Sequence, residues 1–523
     1  MSTTGTRQHV DRFGMVGDLA LSVRRMIKRA FLPLVGLCLV ETLLLWFTGQ
    51  NSTAAFAMLA VGTCVALASW KAQGKGLPLM PMMVAQTLLI YGLPIAIGHE
   101  FLAGYSEDYI TKAGVELLVF LMCLTGFWRL GMTSIMPGRS LAYVLREFNK
   151  DGYKAIAKVG MVLIVCTTAY QLLQSLGLLE SFINALPSGA SSVVTTLVMS
   201  ATVCGFFMMS MVVGSGEITK WSRGVFWLVL AFNCLIAAAA FLLSTAGAMV
   251  IAVLIGLFWS TGKMPWVYLT VVIAILAFLN IGKFTMRDKY WRMDTNDPIP
   301  QLDLRQMPGT YVEWIQASAV QLSGPGDIPS GLNLNQEMMA KKKAAQGESL
   351  LNRVNNLENL LYVIDAEDAG HIEPMHGETY FIIPALLVPR ILWPDKPRTH
   401  EGQVRLNVHF KRQDLESSYG TYIAWGLLPE AYGNFGPIFG SVFLGAMLGI
   451  LSAWVERLTQ NKPMLSLEGL TSFALFLSLL NSYEMVASVL VTATFQSILT
   501  ITMAFMPFMT RTDVIKRSRE QET

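Results

Sequence analysis

WSRGVFWLVLAFNCLIAAAAFLLSTAGAMVIAVLIGLFWSTG, residues 221–262, is the stretch on which the architecture turns. A helix needs about 20 mostly apolar residues to cross a hydrocarbon core roughly 30 Å thick. The stretch is too long for one such helix and suits two, 221–244 and 246–262, with little more than Ser244–Gly247 between them. Read as a hairpin it gives the chain an even number of spans. Read as one span it gives an odd number, and the two chain ends then fall on opposite sides of the membrane.

The remaining apolar runs decide between these. Upstream lie 31–48, 54–70, 77–98, 114–131, 155–178 and 191–214; downstream come 264–282, 436–455, 468–485 and 487–509. With the hairpin the total is twelve. Lys and Arg near span ends are retained on the cytoplasmic side. Under the twelve-span alternation, twenty-three basic residues fall on one side, from Arg7 and Arg12 through Lys71, Lys75, Arg129, Lys220 and Arg457 to the Arg511–Arg519 tail. The short loops of the opposite side hold only Lys112. Both termini are therefore expected in the cytoplasm.

Composition agrees. Of 523 residues, 53% are hydrophobic and 14% charged, against roughly 25% charged in soluble domains. That excludes an ordinary soluble enzyme, a disordered chain, a coiled coil and a small disulfide scaffold. A net charge of +3 argues for no nucleic-acid partner. The six cysteines lie inside apolar runs without a CxxC pair and read as small buried hydrophobes. The first run starts at residue 31 without a small-residue cleavage site, so it reads as a span and not a signal peptide. Tryptophans such as Trp46, Trp70, Trp128, Trp259 and Trp454 mark span ends.

The expected fold class is an all-α polytopic membrane protein of about twelve transmembrane helices, with one large extracytoplasmic loop between spans nine and ten. The boundaries are a cytoplasmic segment 1–30, a bundle 31–282, the loop 283–435, a second set of spans 436–509 and a cytoplasmic tail 510–523. Such a long connection is functional or partly folded. Its first part, 283–345, is polar and proline-rich and reads as extended coil. From Ser349 onward Leu350, Leu351, Val354, Leu357, Leu360, Leu361 and Ile364 recur at helical spacing, an amphipathic helix lying on the bundle or in the interface. Residues 379–393, TYFIIPALLVPRILW, are apolar but short and interrupted by two prolines, a re-entrant or interfacial segment.

Chemistry concentrates between Arg353 and Gly436: RVNNLEN, HIEPMHGETY, IPALLVPRILWPDKP and LLPEAYGNFGPIFG. Four of six histidines are here, with clustered cations (Arg390, Lys396, Arg398, Arg405, Lys411, Arg412) and acids (Glu373, Glu378, Asp395, Glu401, Glu430). The string PRILWPDKP, preceded by an R-x-N-N-L helix and a G-x-T-Y step and followed by E-x-Y-x-N-F-G entering a span, resembles the bacterial oligosaccharide repeat-unit polymerases of the Wzy type. The likeness is sharp over about 350–445 and architectural elsewhere. The R-x10-G spacing of some members is displaced, since Gly402 falls one place late counted from Arg390.

The resemblance implies a bacterial inner-membrane enzyme whose loop faces the periplasm. It implies transfer of a growing glycan from a polyprenyl diphosphate onto a new lipid-linked repeat unit, without metal, cofactor or nucleotide sugar. Its expected partners are the lipid-linked oligosaccharide, membrane lipids, a chain-length regulator and a flippase. A diphosphate leaving group asks for fixed positive charge, and arginine offers a planar fork suited to phosphate oxygens. On that chemistry Arg390 and Arg353 hold the diphosphate, supported by Lys396 or Arg398. The attacking hydroxyl needs a base, assigned to Glu378 or Glu430. Asn356, Tyr380, Trp393, Tyr432 and Asn434 are expected to contact sugars, with Asp395 in the rigid turn beside them.

Each assignment has a plainer counterpart. Arg390 and Arg353 equally suit lipid headgroups as snorkelling cations. Trp393–Pro397 suits a stiff interfacial turn, Glu430 suits an ion-pair partner, and Glu41 within its span suits a structural hydrogen bond. The loop histidines lack zinc-ligand spacing. Gly433, Gly436, Gly440, Gly445 and Gly449 form small-xxx-small steps for close helix packing. At the level of function, a glycan ligase shares the same architecture. A transporter or flippase would show two repeated halves and broken midplane helices, which this sequence lacks.

Overall fold

Long apolar runs satisfy their own backbone only as helices when no water is present, and helices are what they form. The structure, a computed structural model, describes residues 16–136, 143–145, 153–179, 185, 190–239, 241, 243–290, 305–322, 355–389, 392–393, 395–420, 423–464, 466–506 and 509–511. The chain divides into two compact units: Met1–Gly152, Ser188–Leu197 and Val354–Thr523 form the first, and Tyr153–Pro187 and Val198–Arg353 the second.

The first unit contains α1 (Val16–Phe47), α2 (Thr53–Gln73), α3 (Leu79–Ala96, with a π-helical turn at Leu88–Gly92) and α4 (Glu107–Ser134). β1 (Tyr143–Leu145) follows. The second unit contains α5 (Tyr153–Ser175), most of α6 (Ala190–Ser215), α7 (Lys220–Ala238), α8 (Leu243–Thr261), α9 (Trp266–Tyr290) and α10 (Met307–Leu322). The chain then returns to the first unit with a polar cap of short helices: α11 (Leu357–Asp368), α12 (Glu378–Phe381), α13 (Ile383–Leu387), α14 (Glu401–His409), α15 (Leu415–Gly420) and α16 (Leu427–Phe435). Long helices resume with α17 (Phe439–Thr459), α18 (Leu467–Ser482) and α19 (Ala487–Phe505), and β2 (Met509–Arg511) ends the described chain.

Among the described residues nine helices are long and apolar enough to cross a bilayer: α1 to α7, α9 and α17; Thr245–Thr261, Leu467–Ser482 and Ala487–Met503 are shorter apolar helices. Large apolar side chains face outward along the long helices, including Leu32, Leu37 and Phe47 on α1 and Val267 and Ile275 on α9. An all-helical chain with so extensive an apolar exterior is a membrane protein.

The first unit is held by close helix contacts. A Cβ on Gly114 of α4 would lie 2.5 Å from the Ala55 Cα of α2, and one on Gly445 of α17 would lie 2.7 Å from the Phe120 carbonyl oxygen. The small-xxx-small steps of α17 thus let it approach α4 closely, while Gly114 of α4 does the same for α2. At one end of this unit Glu456 of α17 accepts hydrogen bonds from Trp70 Nε1 (3.1 Å), Trp128 Nε1 (2.9 Å), the Gly76 amide (3.3 Å) and the Lys75 amide. Arg24 donates to the Ala72 carbonyl (2.8 Å), Arg457 Nε to the Ile135 carbonyl (2.7 Å) and the Val16 amide to the Lys462 carbonyl (3.0 Å). β1 pairs antiparallel with β2, joining the segments that follow α4 and α19. Lys71, Lys75, Arg457 and Lys462 therefore share one end of the unit.

In the second unit Phe206, Met209, Phe226, Leu230, Met249 and Val253 form a buried core. The decisive hairpin is present, but its break falls between Ala238 and Leu243, earlier than Ser244–Gly247. Phe241 is fully buried at φ 60° and lies edge-on to Trp314 with centroids 5.2 Å apart, while Arg287 donates to its carbonyl (2.9 Å). A tertiary anchor, not a breaker residue, sets the turn.

Part of the expected coil 283–345 differs too. α9 runs to Tyr290, and α10 buries Met307, Thr310, Trp314 and Ser318 at helical spacing, with Trp314 Nε1 donating to the Leu279 carbonyl (2.8 Å). Pro308 sits in the first turn of α10, where a missing N–H costs nothing. Residues 291–304 and 323–345 lie outside the described residues.

Candidate functional site

The cap, residues 355–438, sits on the end of the first unit opposite Glu456. The Asn356 amide donates to the Ile90 carbonyl in the π turn (3.2 Å), the Met375 amide to Gly433 (2.9 Å), and Lys112 of α4 pairs with Asp368 of α11. α11 does not float in an interface: Leu357, Asn359, Leu360, Leu361, Val363 and Ile364 are all buried, and it packs on α4 and α16.

Glu430 and Asn434, one turn apart on α16, meet Thr379 of α12 and the start of α19. Glu430 accepts from the Thr379 hydroxyl (2.7 Å) and the Ala487 amide (2.5 Å). Asn434 Nδ2 donates to Thr379 Oγ1 (2.9 Å) and to the Glu430 carbonyl (2.8 Å), and its Oδ1 accepts from the Thr379 amide (3.3 Å). All three side chains are fully buried. A carboxylate at a helix N-terminus is favoured, yet burial dominates and pushes the Glu430 carboxyl up to about 7, with the Ala487 amide and Thr379 hydroxyl working against that rise. Tyr380 packs its ring on Phe435 and Phe443, and its buried hydroxyl finds no partner among the described residues. Burial, then Glu430, raises it well above the usual phenol range.

A second cluster surrounds Arg412. Its guanidinium stacks over Tyr362 (4.9 Å) and Trp425 (5.4 Å), donates to Asn359 Oδ1 (2.5 Å) and lies 3.5 Å from Glu358. Asn359 Nδ2 donates to the carbonyls of Ala424 (2.7 Å) and Trp425 (3.1 Å), while Trp425 Nε1 donates to Asn407 Oδ1 (2.7 Å). Gly426 follows at φ 89°, and a Cβ there would lie 2.2 Å from Asn356 Nδ2. Only glycine fits this approach. Asn356, expected to contact sugar, is buried, with the Tyr91 hydroxyl within reach of its side chain.

The rest of the predicted set lies nearer the surface. Glu378 is exposed and accepts from Arg405 (2.5 Å), which also lies 3.5 Å from Glu401. Lys396 donates to the carbonyls of Leu386 (2.5 Å) and Val388 (2.6 Å), closing the end of α13. Asp395 is exposed, and Arg398 lies over the Tyr419 ring at 4.9 Å. Trp393 is 43% exposed beside Leu392 at 75%, and Phe381 of α12 is 80% exposed, apolar surface suited to an interface. Arg353 and Arg390 lie outside the described residues. Tyr432 of α16 is buried, and the charges bearing on it are Glu367, Glu116 and Asp368.

Sequence reasoning missed Thr379, Asn359 and Glu367. A signal existed for Glu367: DAED at 365–368 ends a helix in acids, against the macrodipole. Among the described residues no group of three or more His, Cys, Asp or Glu side chains is placed to hold a metal ion. The fold and this cap define a polytopic α-helical membrane protein with a polar cap at one end. No protein-family model, curated protein or solved structure matches the chain.

Proposed function

We propose that this protein polymerises polyprenyl-diphosphate-linked oligosaccharide repeat units at the periplasmic face of a bacterial inner membrane. In this reading twelve helices span the bilayer, the nine long ones together with α8, α18 and α19, and both termini are cytoplasmic. The observation that carries it is the polarity of the first unit. Lys71, Lys75, Arg457 and Lys462 gather at the Glu456 end, and the cap with its aromatic-held guanidiniums covers the other. By the positive-inside rule the cap then faces outward.

The lipid tail of the donor stays in the bilayer, so its diphosphate presents at the cap's rim, where Phe381, Leu392 and Trp393 are exposed. Arg398 and Arg412 join Arg390 as candidate diphosphate ligands, because both are oriented by aromatic rings and neither has a carboxylate closer than 3.5 Å among the described residues. Guanidiniums so held offset charge developing on the leaving diphosphate without reorganising. Lys396 serves α13 and positions this rim.

The test is extension of a purified polyprenyl-diphosphate repeat unit by the purified full chain in lipid nanodiscs. A ladder of products differing by one repeat unit is expected. Transfer only to a different lipid acceptor would instead indicate a ligase, and no glycosidic bond formation at all would refute the reading.

A further inference from the structure

α1 is 32 residues long, about 48 Å at about 1.5 Å per residue, against a hydrocarbon core of roughly 30 Å. Its two halves differ. From Leu32 onward the helix exposes Leu32, Leu37, Leu39, Val40, Leu43 and Leu44, an apolar surface for acyl chains. Before that, Val16, Leu19, Ala20, Val23 and Ile27 recur at helical spacing and turn inward, while Arg25, Lys28 and Arg29 are exposed. The change from cations to exposed leucines takes one turn.

Two contacts fix this cationic stretch against the end of α2. Arg24 donates from Nη2 to the Ala72 carbonyl (2.8 Å), and Lys71 Nζ lies 4.0 Å from the centre of the Phe31 ring. Arg24, Lys28 and Phe31 are four and three residues apart and share one face of α1. That spacing places Lys28 between the two contacts, on the Lys71 side of the helix, with Arg25 and Arg29 in the next row. No acid occurs in 19–40 or in 42–99. Acids from neighbouring segments are engaged: Glu456 holds four donors, and Glu468 lies 3.8 Å from Lys462. Among the described residues Arg25, Lys28 and Arg29 make no hydrogen bond or ion pair, and Arg24 Nε has no hydrogen-bond partner.

Five cations, Arg24, Arg25, Lys28, Arg29 and Lys71, thus stand together at the edge of an acyl-chain surface. We propose that the seam between α1 and the end of α2 binds an anionic phospholipid. Its phosphate oxygens accept from Arg24, Lys28 and Lys71, as phosphate does from guanidinium and ammonium donors. Arg25 and Arg29 add charge, and the tails lie along Leu32 and Leu37. A zwitterionic phospholipid brings its own ammonium, so a surplus of positive charge selects a headgroup that is negative overall. Each cation near such a headgroup adds about fivefold in affinity. The site lies at the Glu456 end of the unit, away from the cap, and does not depend on the reaction proposed for the cap.

The test titrates phosphatidylglycerol and phosphatidylcholine into the purified full chain in detergent and reads bound lipid by native mass spectrometry. The parent is expected to keep one phosphatidylglycerol with at least about tenfold preference over phosphatidylcholine. Arg25→Gln/Lys28→Gln/Arg29→Gln should weaken phosphatidylglycerol binding on the order of 100-fold. Lys220→Gln/Arg223→Gln/Lys263→Gln removes equal charge from other exposed cations and should leave binding within about twofold. Lys28→Glu alone should lose at least about tenfold, and it decides the matter if the first triple variant does not fold. Equal affinity for the two lipids, equal losses in the two triple variants, or parent-like binding by Lys28→Glu each overturns the site. So does displacement of the lipid by excess inorganic phosphate, which assigns the cations to a free anion.

Discussion

Glu456 and Glu367 sit at opposite ends of the same helical unit and have opposite surroundings. Glu456 gathers four donors from α2, from the turn after it and from α4, so both its oxygens are satisfied and three helices are tied at one point. Glu367 is half-buried, flanked by further acids and short of a partner. The sequence shows a glutamate near a helix end in both cases, alone at Glu456 and among other acids at Glu367. What separates the two carboxylates is how many donors the fold supplies, because a buried acceptor left unpaired costs about 1–3 kcal/mol.

The comparison breaks first at Glu456. Replacing it by alanine strands two indole and two amide donors, so unfolding in detergent should show a loss on the order of 4 kcal/mol. A loss under about 1 kcal/mol would mean that the four contacts do not hold the helices. Glu430 supplies an intermediate case, satisfied yet fully buried. Its carboxyl titrates at about 7 in the folded protein, against roughly 4.3 unfolded. Between those values the folded state keeps a proton that the unfolded chain has released. Its contribution is therefore complete below about pH 4.3 and is lost as pH rises to about 7, a fall of roughly 3.7 kcal/mol that then levels off. Unfolding measured from pH 4.5 to 8 should show this slope, and Glu430→Gln should flatten it. The smallest effect is expected at Lys112, whose pairs with Asp108 and Asp368 are exposed to solvent. Lys112→Met should move the thermal midpoint by no more than about 1 °C, as exposed ion pairs do; a larger shift would make the acid-rich end structural after all.

Much of the helical framework was legible in the chain. Each of the twelve apolar runs coincides with a helix, because hydrocarbon-length apolarity leaves a backbone no other way to pair its own groups. The glycines of α17 pack as their spacing indicates. The turn at Phe241 was not legible, since an alanine run followed by Phe-Leu-Leu carries no breaker and the kink depends on Trp314 and Arg287. α10 was hidden by prolines that read as coil but begin a helix. In the cap the composition marked a polar segment set apart from the spans, while the partnerships inside it escaped. Thr379 belonged to the quoted G-x-T-Y step without a role of its own, yet it is the link between Glu430 and Asn434.

Periodicity and charge bias act along the chain, so the sequence by itself determined an all-helical membrane protein, the paired hairpin at 221–262 and the polar segment that departs from the apolar pattern. Partnership acts across it. Glu116 and Ser441, or Glu430 and Ala487, are brought together by packing alone, and hydrogen-bond satisfaction depends on positions a linear pattern does not encode. Only the tertiary structure therefore decided which buried acids are fully bonded, and that Glu367 Oε1 has no hydrogen-bond partner among the described residues.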